Sequence, residues 1–198
     1  MRPLILASLF LVLSGCASLS QEECLTGDWQ GIGYRDGLQG KTEAYLAEHQ
    51  SACAEYQVSL NLEDYLRGRK EGLKNYCQPD NGYRLGRQGA EYAYVCPAEL
   101  DMAFVAKYQQ GREIYQQEKA VKTLETEIRK NKAEQTNLKD QIVKTETKLV
   151  ADGKSRSERQ YLLDDLKEFE QRLPNLKSEL YRMEIQLQRE KTALQNLL

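Results

Sequence analysis

The apolar residues of this chain follow three patterns in succession. Leu4 to Leu13 is an apolar run directly behind Met1-Arg2. As a helix it would span about 15 Å, half of a hydrocarbon core of roughly 30 Å, so it reads as the apolar region of a signal peptide over residues 1–15 and not as a membrane span. At the other end, Val121, Leu124, Ile128, Asn131, Gln135, Leu138, Ile142, Thr145 and Leu149 advance in steps of three and four. Leu162, Leu166, Phe169, Leu173, Leu176, Leu180, Met183, Leu187, Glu190, Leu194 and Leu197 do the same. That alternation, with Glu, Lys, Arg and Gln in between, is the coiled-coil period over residues 116–198. Ten of the eleven second-arm positions are apolar against six of nine in the first, so the second arm carries more apolar surface than the first can cover.

Ala151 to Glu158 separates the arms, and the heptad phase slips across it. The slip predicts an antiparallel hairpin with its turn at about 151–158, a second arm starting near a Ser157 cap, and Leu149 facing Leu162. In that register Ile142 meets Phe169, Leu138 meets Leu173 and Gln135 meets Leu176. Pro174 removes one helix hydrogen bond and predicts a kink in the second arm.

Between leader and coil the pattern changes again. Residues 16–115 hold 11 of the 13 Gly and 10 of the 12 Tyr. Tyr65-x-x-Gly68-Arg69, Tyr83-x-x-Gly86-Arg87 and Tyr108-x-x-Gly111-Arg112 share one form, with further glycines at Gly72, Gly89 and, earlier, Gly33 and Gly37. Spacings of three and four put rings and glycines on one helical face. A helical Gly costs about 1 kcal/mol relative to Ala, so its repetition predicts helices crossing at close backbone approach, with Tyr rings over the notches. Left-handed helix caps are the competing prediction.

Composition adds an address. Leu13-Ser14-Gly15-Cys16, immediately after the apolar run, resembles the lipobox of bacterial lipoproteins. The resemblance implies lipidation of Cys16, cleavage before it and a short lipidated linker over 16–21. With no Asp at Ala17 or Ser18, it implies an outer-membrane anchor facing the periplasm of a Gram-negative cell. The membrane is then the first partner, through lipid at Cys16. Cys24, Cys53, Cys77 and Cys96 remain, an even set in a chain exported to an oxidising space, and they read as two disulfides. Three connectivities are open; Cys24–Cys53 with Cys77–Cys96 is favoured because each closes a local loop, and each would stabilise by roughly 3–4 kcal/mol.

The arrangement Cys24…Asp28-Trp29-x-x-Ile32-Gly33-x-x-Asp36-Gly37…His49…Cys53, then Tyr65-x-x-Gly68-Arg69-x-x-Gly72-Leu73-x-x-Tyr76-Cys77-x-Pro79-x-Asn81-Gly82, then Gly86-x-x-Gly89-x-x-Tyr92…Val95-Cys96-Pro97 resembles a domain-of-unknown-function family of Gram-negative envelope lipoproteins. The similarity covers residues 22–115. It implies a location and domain limits, and no reaction.

Charge narrows the partners. The chain has 28 Lys+Arg against 30 Asp+Glu, without the basic surplus that nucleic-acid capture requires, so no nucleic-acid partner is expected. Gly40-Lys41-Thr42 has the tail of a phosphate-binding loop, but its first glycine position holds Arg35; Gly31-x-Gly33…Gly37 is one residue too long for a dinucleotide turn. His49, the one histidine, lies near Asp36 and Glu43 in sequence and could act as a base, although no nucleophile motif accompanies it. Arg69, Arg87 and Arg112 could line one groove for a carboxylate or form salt bridges.

The expected fold is mainly α: a small disulfide-bonded helical head followed by a long antiparallel coiled-coil hairpin. No catalytic set, cofactor or metal is expected. The preferred function is a non-enzymatic envelope lipoprotein whose coil holds a protein partner or self-associates. The alternative is a ligand-binding or hydrolytic head with the coil as spacer, which a convergence of Asp36, His49 and Arg69 around a pocket would favour.

Overall fold

The computed structural model describes residues 18–198; the expected signal peptide and Cys16 lie outside the described residues. The regular elements in that range are helices: α1 (Gln21–Thr26), α2 (Trp29–Leu38), α3 (Tyr45–Ala54), α4 (Leu62–Tyr76), α5 (Pro79–Arg87), α6 (Ala98–Val150) and α7 (Arg156–Leu197). The mainly α class holds, with a disulfide-bonded helical head followed by a long helical hairpin. Two compact units form, one from residues 18–82 and 91–106, the other from 83–90 and 107–198. The head–coil limit expected at 115/116 falls inside α6, which continues without a break into the first arm of the hairpin.

In the first unit short helices are held by their caps. The Ser20 hydroxyl accepts from the Glu23 amide while the Glu23 carboxylate accepts from the Ser20 amide, a reciprocal cap on α1. Asp28 caps α2 through the Gly31 amide and Asn61 caps α4 through the Asp64 amide. Leu19, Cys24, Trp29, Ile32, Cys53 and Tyr65 form the core, with Leu46, Tyr56, Val58 and Leu60 against it. Both disulfides join the expected cysteines: Cys24–Cys53 ties α1 to α3, and Cys77–Cys96 ties the end of α4 to the segment before α6. Beside the second bridge, Phe104 stacks on Tyr76 and tilts against Tyr92.

Both predicted roles of glycine occur, at different positions. α2 and α4 run in the same direction, and a Cβ on Gly33, Gly37, Gly68 or Gly72 would fall on the carbonyl oxygen of Tyr65, Arg69, Gln30 or Tyr34, respectively. Two facing Gly-x-x-x-Gly notches bring the backbones into contact, the small-residue device for tight parallel helices. α5 and α6 repeat it: Gly82 meets the Phe104 carbonyl in the first unit, and Gly86 and Gly111 meet the Tyr108 and Tyr83 carbonyls in the second. Gly40 and Gly89, by contrast, end α2 and α5 at φ of 65° and 70° and lie under the rings of Tyr76 and Tyr115.

These contacts replace the repeat expected from Tyr-x-x-Gly-Arg. The equivalent segments are Gly33-Tyr-Arg-Asp-Gly37-Leu-Gln-Gly40 and Gly82-Tyr-Arg-Leu-Gly86-Arg-Gln-Gly89, each the first helix of a pair; their partners run Tyr65–Tyr76 and Phe104–Tyr115. The Tyr-x-x-Gly-Arg match aligned a second helix at Tyr65 with a first helix at Tyr83, two elements with different neighbours.

The second unit contains the hairpin. Its turn, 151–155, has Gly153 at φ 77° with nothing near it. The cap is Ser155 and not the expected Ser157, because Ser155 is three residues from Glu158 and completes a reciprocal cap with it. Arg159 reaches back to the Leu149 and Ala151 carbonyls. The predicted register is met where Gln135 and Asn131 both donate to the Leu176 carbonyl, at 3.4 and 3.2 Å, while Gln135 also donates to Asn131 at 2.7 Å. Glu134–Arg172, Lys132–Glu184 and Glu125–Lys191 flank the seam. Glu190, the polar residue in the second-arm stripe, is met by Gln117 at 2.6 Å. α7 runs through Pro174 without interruption.

Candidate functional site

The chemistry-bearing residues of the head meet where α2, α3 and α4 converge. Asp36 sits on α2 between the notch glycines, His49 on α3, and Tyr65 on α4 one turn before Gly68. His49 Nε2 lies 2.7 Å from Asp36 Oδ2, and the Tyr65 hydroxyl donates to the same oxygen at 2.7 Å. The other ring nitrogen, Nδ1, lies 2.9 Å from the hydroxyl of Ser18. The two contacts fit a ring whose Nε2–H faces the carboxylate and whose Nδ1 faces the Ser18 hydroxyl. Tyr45 packs edge-on to the imidazole at 4.9 Å.

The cluster is closed. His49 is 1% exposed, Asp36 6% and Tyr65 0%, with Ser18 half-buried above them. Burial, and then the bond to Asp36, pushes the Tyr65 hydroxyl above its ordinary pKa, so Tyr65 stays a proton donor. Every polar atom of the Ser18–His49–Asp36–Tyr65 chain named here has a partner, as buried polar groups require. Arg69 is buried nearby; its guanidinium donates to the Lys41 carbonyl at 2.8 Å and pairs with Glu43 at 3.5 Å, while its Nε has no partner.

Of the residues singled out in the sequence, Asp36 and His49 do come together, and Arg69 lies beside them, but they are packed shut. One shallow depression on this unit is lined by Glu22, Glu23, Thr26, Asp28, Gly31, Ile32 and Arg35, outside the cluster. Ser18 and Tyr65 complete the cluster, but the sequence showed Tyr65 only as a ring of the Tyr-x-x-Gly-Arg pattern and Ser18 only as a non-acidic residue two positions after Cys16; neither carries a signal of pairing with His49 or Asp36. Arg87 pairs with Glu118 at 2.9 Å and Arg112 donates to the Gly89 carbonyl, so the salt-bridge and capping reading of these arginines is the observed one. The phosphate-loop look-alike is a helix end: Gly40 is the left-handed cap, and Lys41 lies 4.2 Å over the Tyr45 ring. Gly31 and Gly33 lie inside α2, where no dinucleotide turn can form. Among the described residues no group of three or more His, Cys, Asp or Glu is placed to hold a metal ion, and no helix is long and apolar enough to cross a membrane.

A second polar cluster stands in the same unit beside Cys77–Cys96. The Tyr92 hydroxyl donates to Asp101 and accepts from the Cys96 amide at 3.1 Å, and burial followed by the Asp101 bond raises its pKa. It locks the chain between bridge and helix.

Residues 28–113 match the family described as "Protein of unknown function (DUF2799)". These are the residues of both glycine-notched pairs. "Uncharacterized protein YfiL" of Escherichia coli (strain K12) is 30% identical over 99 residues, covering 48% of this chain and 77% of that protein. No solved structure matches. The family match thus covers the two glycine-notched helix pairs, and the chain belongs to the DUF2799 family of proteins of unknown function.

Proposed function

We propose that this protein is a lipoprotein of the bacterial envelope, anchored through lipid on Cys16 to the outer membrane and facing the periplasm, whose hairpin offers a binding face to a protein partner or to a second copy. The observation that carries this reading is an asymmetry in the seam. On α6, Val121, Leu124, Ile128, Leu138 and Thr145 are buried, whereas on α7 Leu162, Leu166, Phe169, Leu173, Leu180, Met183, Leu187 and Leu194 are each only half-buried. Leu163, Tyr181 and Ile185 are exposed on the same helix. A helix with that much accessible apolar surface is suited to a further helix. The head supports a mounting role, since Asp36 and His49 are tied into its fold.

Photo-crosslinking residues placed at Leu163, Tyr181 and Ile185 of the full chain, in membranes of the cells that make it, test the reading. Adducts of discrete mass are expected; no adduct from any of the three positions counts against it. Acyl labelling that depends on Cys16 tests the anchor.

A second reading is favoured by one observation. Ser18, His49 and Asp36 follow one another in the order of a nucleophile, base and orienting acid, the arrangement used in acyl transfer. Here Nδ1 rather than Nε2 faces the serine, and the amide of Ser20 is taken by Glu23. Labelling of Ser18 by a fluorophosphonate, with loss of fluoride, would reveal an activated nucleophile and favour a hydrolytic head; its absence, with the fold intact, leaves the cluster as a tether.

A further inference from the structure

We infer that the head is mounted directly on the bilayer, with the outer face of α1 around Gln21, Glu22 and Leu25 against a surface of mainly zwitterionic lipid. This rests on the lipid anchor at Cys16 proposed above. The residues after that cysteine would ordinarily form a loose tether, as expected for 16–21. From Ser18 onward they do not. Ser18 is bound to His49 at 2.9 Å, Leu19 is 4% exposed in the core beside Cys24 and Trp29, and Ser20 closes the cap of α1. Three consecutive residues therefore have three separate attachments to the head.

Covalent geometry does the rest. Two residues of chain, fully extended, reach about 7 Å, so Ser18 stays within about 7 Å of Cys16. That is close to the thickness of one headgroup layer, about 5–8 Å beyond the hydrocarbon. With acyl chains on Cys16, the surface around Ser18 has no room to leave the interface. Next to it, Ser20, Gln21, Glu22, Leu25 and Thr26 line one shallow depression. Leu25 is 62% exposed there, an apolar side chain among polar ones, which suits a headgroup layer. Glu22 and Glu23 on this helix disfavour an anionic surface, which is why zwitterionic lipid is the better fit.

The test uses the full lipidated protein carrying Leu25→Cys labelled with a fluorophore, in phosphatidylethanolamine-rich vesicles that contain nitroxide-headgroup lipid. A second version carries a flexible Gly/Ser insert of about 20 residues after Ala17, with an end-to-end distance of about 25 Å. Strong quenching that is lost on insertion is the expected result. Equal quenching with and without the insert, or none in a vesicle-bound native protein, overturns the direct mount. Absence of a lipid mass on Cys16 overturns the anchor itself, by a separate readout. Ser18→Ala, which leaves Leu19 and the cap in place, should expose the bond before Leu19 to protease; unchanged cleavage overturns the role of the His49 contact.

Discussion

α2 and α4 meet across facing glycines, and so do α5 and α6, but different side chains stand beside the two crossings. Asp36 and Tyr65 in the first correspond to Leu85 and Phe104 in the second. One equivalence survives a change of residue: the Arg69 guanidinium donates to the Lys41 carbonyl, and the Tyr108 hydroxyl donates to that of Ala90, each the residue after the left-handed glycine. The glycines are interchangeable between pairs because the backbone approach leaves no room for a Cβ. The neighbouring positions are free to be polar or apolar as long as each set is complete. In the first pair, completeness required His49 and Ser18 as well.

The largest effect should come from filling a notch. Gly68→Val places side-chain atoms on the Gln30 carbonyl, and the helices must separate. A loss of about 4 kcal/mol or more, enough to keep the head from folding, is expected in urea unfolding followed by Trp29 fluorescence. Gly86→Val should be equally severe for α5 and α6; a mild effect there would break the equivalence of the pairs.

Removing the Cys24–Cys53 bridge, which spans 29 residues, should lower stability by about 3–4 kcal/mol on the loop-entropy model. Calorimetry of the double Cys→Ser variant checks this; full reduction, which also opens Cys77–Cys96, should lower stability further.

The polar set can be converted toward its counterpart. Asp36→Leu leaves Tyr65 and His49 without an acceptor and should cost about 2–3 kcal/mol. Adding Tyr65→Phe should recover part of that loss, because one orphaned hydroxyl is removed. A double variant less stable than Asp36→Leu alone would mean that the ring environment, and not the hydrogen bond, sets the choice.

Within the hairpin, Asn131→Leu with Gln135→Leu should stabilise by about 1 kcal/mol while loosening the register, since a buried polar layer favours one alignment at some expense of stability. Disulfide trapping at Leu138 and Leu173, a neighbouring level of the seam, reads the alignment.

The smallest effect is on the two reciprocal caps. Glu23 and Glu158 are each held at about 2, down from 4.5; for both the capping serine amide is the main cause, joined by Arg35 for Glu23 and by the Ser155 hydroxyl and Lys154 for Glu158. A carboxyl depressed in the folded state contributes above pH 4.5, and the contribution fades as pH falls from there toward 2. Carboxyl NMR titrations should give both midpoints near the low end, with amide protection at the starts of α1 and α7 lost in that window.

Much of this was legible along the chain. The seam residues of α6 and α7, the Gln135–Leu176 level and the local cysteine loops follow from heptad period and loop closure, which depend on neighbours in sequence. The glycine notches were readable as notches, yet the internal duplication was misaligned, because the same Tyr-x-x-Gly-Arg pattern falls on first and second helices alike and their partners are not visible in sequence. His49 was visible as the one histidine; its ring nitrogens find Ser18 and Asp36, 31 and 13 residues away, and no local pattern encodes that.

The sequence by itself determined the helical class, the hairpin and its register, and the even set of cysteines, since each rests on short-range periodicity or simple loop closure. Only the tertiary structure decided which glycine is a notch and which a cap, that Ser155 rather than Ser157 opens α7, and that Ser18 and Leu19 belong to the head. Those outcomes depend on which backbone passes within contact distance of which, and that is set when the helices pack.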